Sequence, residues 1–145
     1  MRFATRETDF WELESGEARH AAHPDSFEIP ARGLRETLTR GQAAKLLFVI
    51  ETEDEDGRID AGVERMWVVV SEAREGGYLG RLINRPASID PDGDVYLRMD
   101  CEVPFAPEHV IAIDQPPQDF LDRLFAEPPA ARWDQDTAAD TTPAA

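Results

Sequence analysis

The chain holds one cysteine, Cys101, and one lysine, Lys45, among 145 residues, and it has no long apolar run. A lone cysteine excludes an internal disulfide framework, and a reducing, cytoplasmic compartment is the simplest expectation. The longest apolar stretches, residues 46–50 and 66–70, fall far short of the roughly 20 residues that a membrane-spanning helix needs. The opening residues, Met1 to Glu7, mix both charges ahead of any apolar segment, so they do not read as a signal peptide. Bases are scarce as a class: 15 Lys and Arg stand against 30 Asp and Glu, for a net charge of −15. A surface of that sign repels phosphate, and no Lys/Arg stripe offsets it. The expected partners therefore include neither nucleic acid nor an anionic membrane. The charge favours a basic protein partner, with association fastest at low salt. High net charge also keeps proteins soluble and accompanies adaptation to salt, so acidity alone assigns no partner.

What the sequence does contain is strand pattern. Residues 43–52 carry apolar side chains in both alternating sets (Leu46, Phe48 and Ile50 against Leu47 and Val49), which predicts a strand buried on both faces. Residues 63–71 repeat the pattern, with Met66, Val68 and Val70 against Trp67 and Val69. Glu53 to Arg58 reads as a solvated connection, and Arg74-Glu75-Gly76-Gly77 as a hairpin turn leading into a return strand over 78–84. A further strand, or two short ones, is expected over 95–103. Irregular chain follows over 104–109, where Pro104 and Pro107 remove two donors, and a last strand spans 110–113. Leu34 and Leu38, four apart, suggest a short helix after Pro30. Phe120, Leu121, Leu124 and Phe125 form an apolar stripe on a helix expected to cap an open end of the sheet. The domain plan is a polar N-terminal extension over 1–22, a single β-rich domain over 23–126, and a disordered acidic tail over 127–145. The fold class is mainly β (α+β): a small, strongly bent, SH3-like partly closed barrel with a short N-terminal helix and a C-terminal helix.

Three strings carry a resemblance. Glu64-Arg65-Met66-Trp67-Val68, Tyr78 to Pro86, and Phe105-Ala106-Pro107-Glu108-His109-Val110-Ile111 resemble, in that order, an uncharacterised bacterial family known as "domain of unknown function 2314". The segments 23–30 and 38–46 are also similar to that family's entry segments, so the resemblance covers about residues 23–113. Gln42, where an acid is expected after the glycine, and the long 54–60 insertion depart from the pattern. Related bacterial families include immunity proteins of toxin systems, an association that gives no residue a role.

The chemistry-bearing residues do not assemble into a catalytic set on the page. His20 and His23 have metal-ligand spacing, but two histidines fall short of the four ligands of a structural site, and Pro24 ends any helix there. Cys101 sits between Asp100 and Glu102, neighbours that raise a thiol's pKa and blunt its reactivity. The acid run 51–56 lacks the glycine and distal glutamate spacing of a calcium loop. No catalytic residue, cofactor or metal is assigned. Two readings stay open. In the first, a non-enzymatic module of immunity or regulatory type meets a basic partner through Glu53, Asp54, Glu55, Asp56, Glu64 and Arg65. In the second, Trp67, Tyr78 and His109 line the mouth of the barrel and hold a small ligand or substrate.

A solvated acid run adds little to stability, because exposed like charges attract nothing and repel one another. Neutralising Glu53, Asp54, Glu55 and Asp56 to Ser or Asn is expected to leave the melting temperature nearly unchanged in thermal denaturation. A steep drop would mean the loop is packed.

Overall fold

In the computed structural model, which describes residues 1–133, the chain begins with α1 (Arg6–Asp9), β1 (Trp11–Leu13), α2 (Gly16–Ala22) and α3 (Arg32–Arg35). The sheet follows as β2 (Ala43–Glu53), β3 (Ile59–Arg74), β4 (Gly77–Leu82) and β5 (Glu102–Phe105). A 3₁₀ turn (Pro107–His109), β6 (Ala112–Asp114) and α4 (Gln118–Phe125) complete it.

The two doubly apolar runs become β2 and β3, which pair antiparallel from Ala43↔Val69 to Glu53↔Ile59. Their even-numbered residues, Ala44, Leu46, Phe48 and Ile50 with Met66, Val68 and Val70, turn inward together. Odd-numbered Ala43 and Val69 turn outward, where Leu121 of α4 covers them. Strand order is β1-β2-β3-β4-β5, and β6 also pairs with β2, on Ala43–Lys45, beside the Phe48–Ile50 stretch that β1 occupies. A register shift between Val70 and Glu72 bends β3. At Gly80 a Cβ would stand 3.1 Å from Val68 and from the Val69 carbonyl, so β4 can approach closely only without a side chain there. The sheet is thereby strongly curled into a half-barrel, with short N-terminal and C-terminal helices, as expected of a small partly closed barrel. Trp11, Phe48, Leu97, Val103 and Phe105, all fully buried, fill its concave side.

Several segments differ from their sequence reading. Within the expected N-terminal extension, β1 pairs with β2, and Trp11 is 0% exposed against Phe48 and Trp133. Short polar segments can still deliver one large aromatic, and that residue decides where they pack. In the expected C-terminal tail, Ala131 bridges to Cys101, and Trp133 is buried between the rings of Trp11 and Tyr96. Residues 134–145 lie outside the described part. The strand expected over 95–103 starts only at Glu102, because Asp100 adopts φ 69° and turns the chain. Pro104, read as a strand breaker, lies within β5. Glu102 donates its N–H outward to the Ala131 carbonyl, so by alternation the missing N–H of Pro104 also falls on the side away from β4. Leu34 and Leu38 do not share a helix face: α3 ends at Arg35, leaving Leu34 60% exposed and Leu38 buried. α4 packs on the outer face of the sheet with Trp67 and Ile83, and not across an open end.

Two buried arginines fasten loops to this frame. Arg35 donates to Glu17 and to the carbonyls of Pro30 and Pro107. Arg81 grips Asp100 through two bonds of 2.7 and 2.9 Å and also donates to the Glu127 carbonyl.

Trp133 closes the core from the far end of the described chain, with its N–H held by the Glu102 carboxylate and its indole Nε1 donating to the Arg2 carbonyl. Trp133→Ala should destabilise the domain by about 3–5 kcal/mol in chemical denaturation, the range for a buried aromatic. A loss near zero would show the C-terminal segment to be dispensable.

Candidate interaction site

The residues assigned from sequence to partner binding all belong to the β2–β3 hairpin. β2 gives up β6 after Lys45 and β1 after Ile50, while β3 meets β4 only from Val68 onward. Beyond those limits the two strands continue as a ribbon that no other strand among the described residues flanks, and every residue from Thr52 to Asp60 is exposed. At its tip the Asp54 carboxylate accepts from the amides of Asp56 and Arg58 at 2.9 and 2.8 Å, and Gly57 at φ +80° supplies the left-handed position that closes the turn. Glu53, Glu55, Asp56 and Asp60 project around this turn, and Arg58 is the one base among them. Asp54 is therefore spent partly on shape. At the ribbon's root, Glu51 pairs with Arg6 at 3.1 Å.

Glu64 and Arg65 lie away from the tip, and as neighbours on a strand they point to opposite faces. Glu64 turns inward and binds the following loop, accepting from the amides of Ala87 and Ser88 at 2.8 and 3.0 Å and from the Ser88 hydroxyl. Partial burial works against its charge, but those three donors outweigh it and hold the carboxyl below its usual range. Arg65 turns outward, its guanidinium 5.7 Å from the Phe27 ring centre, with Arg19 at 5.5 Å from the same ring.

The second set of residues does not converge. Trp67 lies half-buried on the outer face, with Lys45 at 5.7 Å from its ring and Phe120 packed nearby. Tyr78 lies on the inner face in the main core. Its hydroxyl donates to the Arg35 carbonyl at 2.7 Å and accepts from the Leu38 amide at 3.2 Å. His109 sits in the 3₁₀ turn, where its Nδ1 accepts from the Ala106 amide at 2.9 Å, so the neutral ring carries its proton on Nε2, 3.4 Å from Glu108. The expectation of a common mouth fails because Trp67 and Tyr78 occupy opposite faces of one sheet. What the sequence did not reveal is the clamp of Arg35 on Glu17 and Pro107, since its partners are 18 and 72 residues away.

The remaining candidates are accounted for by structure. His20 donates from Nδ1 to the Phe27 carbonyl at 2.6 Å, and His23 ends α2. Among the described residues no group of three or more His, Cys, Asp or Glu side chains is placed to hold a metal ion, and no helix is long and apolar enough to cross a membrane. Burial pushes the Cys101 thiol up to about 12, with Asp100 adding a smaller push in the same direction. That leaves the thiol protonated and unreactive.

Burial holds His109 below its ordinary value of 6.5, against the pull of Glu108 and Glu17. Protonation would also turn Nδ1 into a donor facing the Ala106 N–H. Below about pH 6.5 the unfolded chain therefore binds a proton that the folded chain refuses, and stability falls as the pH is lowered. Urea denaturation between about pH 7.5 and pH 5 should show this loss, and His109→Gln should remove most of it. An unchanged slope in the variant would assign the acid sensitivity to other groups.

Compared with known proteins, the chain matches no family model, no curated protein and no solved structure.

Proposed function

We propose that this protein is a non-enzymatic binding module of immunity or regulatory type, acting in the bacterial cytoplasm, whose acidic β2–β3 hairpin occludes a basic surface of a partner protein. The observation that carries this reading is the placement of Glu53, Glu55, Asp56 and Asp60 on a ribbon that projects past the body of the sheet. Of the 30 acids, six fall within residues 51–60, with Arg58 the one base among them. Gathered on a projection, these charges steer a basic partner and speed its encounter. The Asp54 turn holds the tip in one shape, which lowers the entropy lost on binding. Two further features favour a binder over an enzyme: the concave side is filled with core side chains, and the ionisable groups shifted from their usual range serve structural bonds. The resemblance of residues 23–113 to the uncharacterised bacterial family points the same way, through its immunity-protein relatives.

The test compares capture from the native host by the wild-type protein and by the variant neutralised at Glu53, Asp54, Glu55 and Asp56. Proteins with basic surfaces should be retained by the wild type, lost by the variant, and released by raising salt from about 50 to 500 mM. Identical captured sets would sink the reading.

A further inference from the structure

The hairpin offers more than charge. Trp67 directs its backbone away from β2: its carbonyl accepts from the Ile83 amide at 3.0 Å and its own amide donates to the Asn84 side chain at 2.6 Å. Backbone direction alternates along a strand, so Arg65, Val63, Ala61 and Ile59 point their N–H and C=O groups to that same side. There β4 has already ended, and no strand among the described residues pairs with them. Among the described residues only the Ala61 amide is engaged, by the neighbouring Asp60 carboxylate at 2.8 Å. The outer side chains along this edge, Ile59 and Val63, are 64% and 46% exposed. On the inner side a groove of about 370 Å³ runs between the strand and the loop at Ala87 and Ser88, with Asp60, Gly62 and Glu64 along its floor. A Cβ on Gly62 would meet nothing within 4 Å, so an incoming side chain has room there.

An open edge with exposed apolar residues is what folded proteins ordinarily cover or disarm. Over residues 59–63 the one charged side chain is Asp60, which repels another acidic chain and attracts a basic one. We infer that residues 59–63 of β3 receive an extended basic segment of a partner protein, which adds to the sheet as a further strand. The inference rests on the reading of the hairpin as the partner-binding element and specifies how it binds. The segment alternates: arginine or lysine side chains enter the groove over Asp60, and apolar ones lie against Ile59 and Val63. Main-chain bonds to Ile59, Ala61 and Val63 supply affinity, and the alternation supplies selectivity. A second copy of this chain is a poor occupant, because each carries the same acidic tip and a net charge of −15.

The probe is a short capped peptide of alternating arginine and valine, with a counterpart N-methylated at every peptide nitrogen that keeps its charge and loses its donors. Binding is followed by titration calorimetry and by amide hydrogen exchange of the isotope-labelled protein. The expected result is slowed exchange at Ile59 and Val63 with the plain peptide, and affinity lower by about tenfold or more for the methylated one. Val63→Pro removes the edge-facing N–H along with the isopropyl group, and Val63→Ala removes the isopropyl group alone; the first should keep the thermal melt and lose the peptide, and the second should keep the melt and most of the binding. Equal binding of both peptides, lost together when Glu53, Asp54, Glu55 and Asp56 are neutralised, would overturn strand addition and leave the charged-hairpin reading standing. Undiminished binding of the plain peptide to that neutralised variant, with Ile59 and Val63 still protected, would support the edge and overturn the role of the acidic tip. Failure of the plain peptide to bind, or protection of these amides in the protein alone that grows with its concentration, would overturn the inference.

Discussion

Two adjacent strands, β2 and β3, carry apolar side chains on both faces over residues 46–50 and 66–70, and a sheet made of them must be covered on both sides. That requirement organises the rest of the molecule. The inner side chains Leu46, Phe48, Met66 and Val68 are enclosed by curling the sheet on itself, helped by the register shift after Val70 and by the bare Gly80. The outer residues Ala43 and Val69 are covered by Leu121, Phe120 and Phe125 of α4. The exposed edge of β2 is shared by two short strands from opposite ends of the chain, β1 and β6. Because the sheet curls, its concave space is small enough to be filled by side chains, and none of the ligand-binding residues expected from sequence share an opening.

Charge follows from the same geometry. With both faces of the sheet taken up by apolar contacts, acids collect where the strands outrun their neighbours, on the β2–β3 ribbon. Several acids near the body are tied to a donor: Asp100 to Arg81, Glu17 to Arg35, Asp9 to Arg2, and Glu64 to the loop amides at 87 and 88. Arginine suits this work, since a planar guanidinium can hold a carboxylate and a backbone carbonyl at once, as Arg81 does with Asp100 and Glu127. Among the described residues, the carboxylates of Glu55 and Asp56 at the tip of the ribbon have no such donor.

The ribbon brings several features onto one element. Its inner half is anchored in the core through Met66 and Phe48, and the Asp54 carboxylate closes the turn at its tip. It keeps the hydrogen-bonding edge that the body of the sheet has used up. A closed turn, open backbone groups and negative charge then coincide.

Much of this was legible along the chain, and the dividing line is physical. Local periodicity determined β2, β3, the Gly76 turn and the stripe of α4, because each depends on side chains a few residues apart. The acidic turn was readable as a solvated connection for the same reason. Tertiary structure alone decided which segments finish the sheet. Trp11 and Trp133 join one aromatic cluster from the two ends of the described chain, and β1 and β6 meet the same strand from segments about a hundred residues apart. It also decided the fate of the candidate site: adjacent Glu64 and Arg65 part to opposite faces, and Trp67 and Tyr78 do the same. Sequence distance governs which residues share a strand, but only the pairing and curl of the sheet govern which residues share a surface.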